Sequence, residues 1–165
     1  MIKKLQYLTV LAILLISSGC SKNDKPKITS DDINEQITGS DQLQLKNEWV
    51  RVSGEGMNTA LFFDAVNGTA IADTILSAES EIAQIVEIHE TYKMEGDMMG
   101  MRQVDFVAVP PNSTIQFKPR DLHIMLIKLK QDINLGDSVK AVINFKHAGK
   151  IKLIAIAKEL MMNKK

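Results

Sequence analysis

Two histidines and two methionines, His89, Met101, His123 and Met125, are spaced as His, eleven residues, Met, twenty-one residues, His, one residue, Met. Imidazole and thioether together suit a soft monovalent cation such as Cu(I), whereas hard, oxygen-seeking ions select carboxylates. Two of each make a four-donor Cu(I) set. Histidine binds only when neutral, so its affinity falls with acidity, while a thioether has no proton to lose in this range. Taken singly, the same residues carry a plainer reading. A histidine beside a methionine in an apolar strand is a buried side chain satisfied by hydrogen bonds. Met94, Met98 and Met99, in "HETYKMEGDMMGM", are adaptable packing beneath a loop or a soft approach route for a cation.

Strands must position these donors, and alternation along a strand says which way each points. In "IVEIHET", Val86 and Ile88 share one face, leaving Glu87 and His89 on the polar side. In "MMGMRQVDFVAV", Val104, Phe106 and Ala108 mark a core face, and Met101 lies on the other with Gln103 and Asp105. In "LHIMLIKL", His123 and Met125 share a face with Ile127 and Leu129, opposite Ile124 and Leu126. Both of its faces are apolar, as in a strand near a sandwich interior.

Further short runs rich in Val, Ile, Thr and Phe are punctuated by turn signals such as "SGEG", "NG", "PPNS", "KPRD", "NLGD" and "HAG". This pattern predicts an all-β fold, an antiparallel sandwich or barrel, with room for one brief helix near "SAESEIAQ". Residues 43–158 make one domain, residues 20–42 form a charged, flexible tether, and residues 159–165 form a fraying tail in which Met161 and Met162 are incidental. His147 is a surface turn residue.

The first stretch, "MIKKLQYLTVLAILLISSGC", has two lysines, an apolar run and then small residues before Cys20, the pattern of an export signal over residues 1–19. Its apolar core is shorter than the roughly 20 residues a membrane helix needs. Ser17, Ser18 and Gly19 before the cysteine resemble a bacterial lipobox, which implies a lipid on Cys20 and a place in the periplasm or cell envelope. Ser21 resembles the outer-membrane sorting default. Cys20 is the only cysteine, so once lipidated it leaves no thiolate for redox work, cysteine-type zinc sites or blue copper. The precursor has 20 basic and 20 acidic residues; loss of Lys3 and Lys4 leaves a charge of about −2, which argues against nucleic acid as a partner. No Gly-x-Ser-x-Gly turn or two-histidine metal helix is present, and the chain reads as a binding protein rather than an enzyme.

The donor spacing, with "EWVRV", "VEIHET", "MRQVDFVAVPPNSTIQFKP" and "HIMLIKLKQDINLGDSVKAVINFKHAG", resembles the periplasmic copper chaperone family called PCuAC over residues 43–158. The gap between His89 and Met101 is one residue longer than usual, Gln103 stands where proline is usual, and Arg120 and Asp121 stand where a Gly-Gly pair is common. The resemblance implies a cupredoxin-like, Ig-like Greek-key β-sandwich holding copper through His89, Met101, His123 and Met125. It also implies delivery to the CuA subunit of cytochrome c oxidase, directly or with Sco-type copper proteins. Glu87 or Glu90 would then orient an imidazole through its free nitrogen. Two further readings stay open: a copper-buffering or resistance lipoprotein, and a metal-free adhesion or assembly module using a sandwich edge.

Overall fold

Period-two burial decides most of the strands. In "GKIKLIAIAK", Leu153, Ala155 and Ala157 are buried while Lys152, Ile154, Ile156 and Lys158 are exposed, so one face of the strand lies on the core and the other on solvent. "TALFFDAVN" is instead buried along most of its length, as befits a strand covered on both faces.

A computed structural model describes residues 42–160; the export signal, Cys20, most of the tether and the end of the tail lie outside the described residues. Ten strands follow one another: β1 (Leu43–Arg51), β2 (Thr59–Asn67), β3 (Asp73–Glu79), β4 (Ala83–Lys93), β5 (Met99–Gln103), β6 (Val107–Val109), β7 (Ser113–Phe117), β8 (His123–Leu129), β9 (Ser138–Phe145) and β10 (Gly149–Lys158). Hydrogen bonding runs in the order β5-β4-β8-β2-β1-β10-β9-β3-β6, with β7 also on β2. β2 gives Thr59–Leu61 to β8 and Phe63–Asn67 to β7. This path folds back on itself. Leu61, Phe63, Ile88, Ile124 and Leu126 from one stretch of it share a core with Ile75, Ile143 and Leu153 from the other, which makes the expected all-β sandwich. Phe63 and Phe117 stack at its centre, their rings 4.4 Å apart.

One pairing is parallel, β1 with β10; the others are antiparallel. A bulge in β1 accompanies it. The register with β2 shifts between Lys46 and Trp49, and Asn47 takes φ 57°, a left-handed conformation that Asn tolerates better than most residues. Beyond the bulge, Trp49–Arg51 pair with Ile156–Lys158, and Trp49 packs on Phe62 with ring centroids 4.4 Å apart.

Two expectations are corrected. The region "SAESEIAQ" holds no helix: β3 ends at Glu79 and β4 starts at Ala83. Ala78 and Ala83 are both buried, and so short a segment cannot recover the cost of helix nucleation against that packing. Among the described residues the one helical element is a 3-10 turn at Glu95–Asp97. Nor is "MRQVDFVAV" one strand. It breaks between β5, which pairs with β4, and β6, which pairs with β3. The break reverses the faces, so Val107 and Val109 are buried and Phe106 is 61% exposed.

Candidate metal centre

Three neighbouring strands, β5, β4 and β8, bring the four donors to one side of the sheet. His89 stands opposite His123 across β4 and β8, and Glu87 stands opposite Met125. On the other flank His89 stands opposite Gln103, and Thr91 opposite Met101. Directly paired residues project to the same side, and so do residues two apart. All four therefore share a face, opposite the one that sends Ile88, Ile124 and Leu126 into the core. The expected polar-side placement of His89 and Met101 is observed.

The face is graded from closed to open. His123 is buried, its ring centroid 6.4 Å from that of Phe62 and 5.8 Å from that of His89. His89 and Met125 are half-buried. Met101, on the edge strand, is 60% exposed.

Each imidazole has one nitrogen committed to an oxygen. His89 Nε2 lies 2.7 Å from Glu87 Oε2. A carboxylate only accepts, so the proton sits on Nε2 and Nδ1 keeps its lone pair. That Nδ1 is buried and has no hydrogen-bond partner. His123 Nδ1 lies 2.9 Å from the Asp121 carbonyl oxygen, which likewise fixes the proton on Nδ1 and leaves Nε2 as the free donor. Thr91 donates to the same carbonyl, tying the turn before β8 to β4. Fixing the outer nitrogen in this way sets ring orientation and raises basicity in metal-ligating histidines. Glu87 is the carboxylate on the His89 ring, whereas Glu90 pairs with Arg102.

Burial lowers the His123 pKa; the Asp121 contact opposes this, and the nearby Arg51 guanidinium adds to the lowering. The ring is therefore neutral, and so a competent donor, to a lower pH than a free imidazole. Among the described residues no three His, Cys, Asp or Glu side chains cluster closely enough to hold a metal ion. The side chains that share the face with this histidine pair include two thioethers, Met101 and Met125.

The remaining methionines divide. Met94 lies on the other side of the hairpin, over Gly100 and beside Tyr92, so loop packing accounts for it. Met99 falls on the donor face opposite Lys93. His147 is an exposed turn residue as expected, its backbone N–H held by Asp73. Arg120 has φ 66°, a conformation glycine favours, which accounts for the small residues common there in the resembling family.

Solved structures of similar fold place this architecture among PCuAC domains. The copper-bound PCuAC domain from PmoF2 aligns with a TM-score of 0.59 at 18% identity, covering 72% of this chain and 93% of that domain. The CuI-DR1885 solution structure from Deinococcus radiodurans aligns with a TM-score of 0.60 at 20% identity, covering 79% and 89%. A family model described as "Putative lipoprotein LpqE-like" matches residues 43–156, and this chain belongs to that family. A relative from Leifsonia xyli subsp. xyli, "Putative lipoprotein Lxx21020", is 31% identical over 144 residues, 86% of this chain and 81% of its own length.

Proposed function

We propose that this chain is an extracytoplasmic, lipid-anchored copper carrier that binds Cu(I) through His89, Met101, His123 and Met125 and delivers it to the CuA centre of cytochrome c oxidase, directly or with Sco-type proteins. The observation that carries the binding step is the shared face of the four donors, with both imidazoles fixed in tautomers that leave a lone pair free, one of them buried and unpartnered. Copper is the cargo, and the chain does no bond-making beyond ligand exchange. Graded exposure suits transfer: His123 holds the ion from within, and Met101 at the edge is the first donor a recipient can displace. The copper-bound solved structures of the same fold support the choice of metal, and the lipoprotein relative supports a lipid on Cys20.

Anaerobic Cu(I) titration of the full chain, read by X-ray absorption, tests the site. The expected result is one Cu(I) with mixed sulfur and nitrogen donors; sulfur-free coordination would sink the proposal. Changing both His123 and Met125 to alanine is expected to abolish retention against a moderate chelator. Delivery separates from buffering in a second measurement, in which Cu(I)-loaded protein is mixed with an apo CuA domain. Transfer supports delivery, and retention by the carrier supports a buffering lipoprotein.

A further inference from the structure

The hairpin of β4 and β5 has two unlike faces. On the first, Arg102 donates to Glu90, its guanidinium carbon lies 5.1 Å from the Tyr92 ring centroid, and Tyr92 closes over Gly100. A Cβ built on Gly100 would lie 2.7 Å from Tyr92 Cζ and 3.0 Å from Met94 Sδ. This face holds the two strands together. On the second face, Lys93 is opposite Met99, Thr91 opposite Met101, and His89 opposite Gln103.

Met99 and Met101 thus stand two positions apart on the donor face, about 7 Å along the strand. They are 49% and 60% exposed. With about half of Met99 and more of Met101 in solvent, packing gives little reason for methionine at either position, and a hairpin tip ordinarily favours polar turn residues. Their shared property is a soft thioether at the open end of a face whose other end carries His89, His123 and Met125.

We propose that Met99 and Met101 form a staging position for Cu(I), two thioethers that take the ion at the hairpin tip and pass it along the face, with Met101 common to both donor sets. The inference rests on the Cu(I) reading above. In the transfer the bond from copper to Met99 sulfur breaks as a bond to an imidazole nitrogen forms. No electron moves, because the ion stays Cu(I), and no proton moves, because the thioether has none and the receiving nitrogens already carry free lone pairs. Charge along β4 gives the passage a direction. Lys93 lies opposite Met99 and disfavours residence there, whereas Glu87 lies on His89 and favours a cation at the inner end.

Methionine methyl NMR on the full chain in detergent, titrated anaerobically with Cu(I), tests the proposal. Met101 and Met125 methyls are expected to move to an end point at one equivalent, with the Met99 methyl moving in fast exchange. In the His89→Ala, His123→Ala variant, Met99 and Met101 are expected to move together at higher Cu(I). Met99→Leu, which preserves volume and apolarity, is expected to leave equilibrium affinity unchanged while slowing loading from a Cu(I)–chelator complex several-fold. A Met99 methyl that never moves, or an unchanged loading rate in Met99→Leu, overturns the staging position and leaves the four-donor site standing. Met101 and Met125 methyls unmoved at one equivalent overturn the four-donor site and the staging position together.

Discussion

His89 and His123 face each other across adjacent strands with ring centroids 5.8 Å apart, and each is held by an oxygen on the nitrogen away from its free lone pair. The sheet register sets their separation and the two hydrogen bonds set their bearing, so both are fixed before a cation arrives. An unpaired buried polar atom such as His89 Nδ1 carries a penalty of about 1–3 kcal/mol. A ligand on that nitrogen removes it.

Glu87→Ala is expected to weaken Cu(I) binding by about 10- to 100-fold, the usual effect of losing a residue that orients a ligating histidine. Glu87 is half-buried and bonded to His89, so the substitution also leaves the Nε2 donor unpaired and is expected to cost about 1–3 kcal/mol of stability. Glu87→Gln, which can still accept from Nε2, is expected to fall between. Chelator competition gives the affinities and urea unfolding gives the stabilities.

Stability of the metal-free protein is expected to fall as pH drops below neutrality. The His123 pKa is lowered in the fold, with burial the main cause, so below about pH 6.5, the ordinary imidazole value, the unfolded chain binds a proton that the folded chain resists. Stability is full above that value and is lost as pH falls through the lower, folded one. Urea midpoints measured between pH 7.5 and 5 as buffer settings check this, and His123→Asn is expected to flatten the slope.

Gly100→Ala places a methyl group against Tyr92 and Met94. The atoms met are the outer ends of two flexible side chains, so the cost is expected at the low end of the about 1–3 kcal/mol that overpacking brings, shared between those side chains and β5, an edge strand with one partner. Amide exchange in Met99–Gln103 should accelerate and Cu(I) affinity should drop, while core amides of β2 and β9 keep their protection.

Asp73→Ala is expected to cost about 1–3 kcal/mol through the backbone donors it leaves unpaired. Its carboxylate accepts from the N–H groups of Thr74, His147 and Ala148 at 2.6, 3.0 and 2.8 Å, pinning the β9–β10 turn to β3. Burial raises the Asp73 pKa, but those three contacts and the His147 charge outweigh it, and the net shift is downward. Its contribution is therefore present above the ordinary carboxylate range and lost as pH falls through the lowered value. Denaturation of the wild-type chain below pH 4, compared with Asp73→Asn, checks the sign.

Alternation places His89 on the polar side of β4. The sequence "IVEIHET" implies that His89 points away from Val86 and Ile88, and the observed register agrees. Alternation fails at Val104–Phe106, because a strand break resets the count and nothing local marks it; Phe106 is an apolar residue that ends up in solvent. The choice between Glu87 and Glu90 was legible in principle. Only Glu87 shares the parity of His89, so only it reaches the ring from the same face. The parallel β1–β10 contact and the covering of His123 by Phe62 join residues far apart in the chain, and no short-range signal carries them. Gly100 provides clearance for Tyr92, which only the paired strand makes visible.

Strand direction has one more consequence. β4 and β2 both run antiparallel to β8, so they point the same way, and the hairpin beyond Lys93 projects toward the end of the sheet where Asn67 meets Leu43. The chain thus enters the domain at the end where the exposed thioethers sit. The first described strand and the proposed donor rim therefore share one end of the domain, so whatever is attached ahead of Leu43 is joined on the side where Met99 and Met101 are exposed.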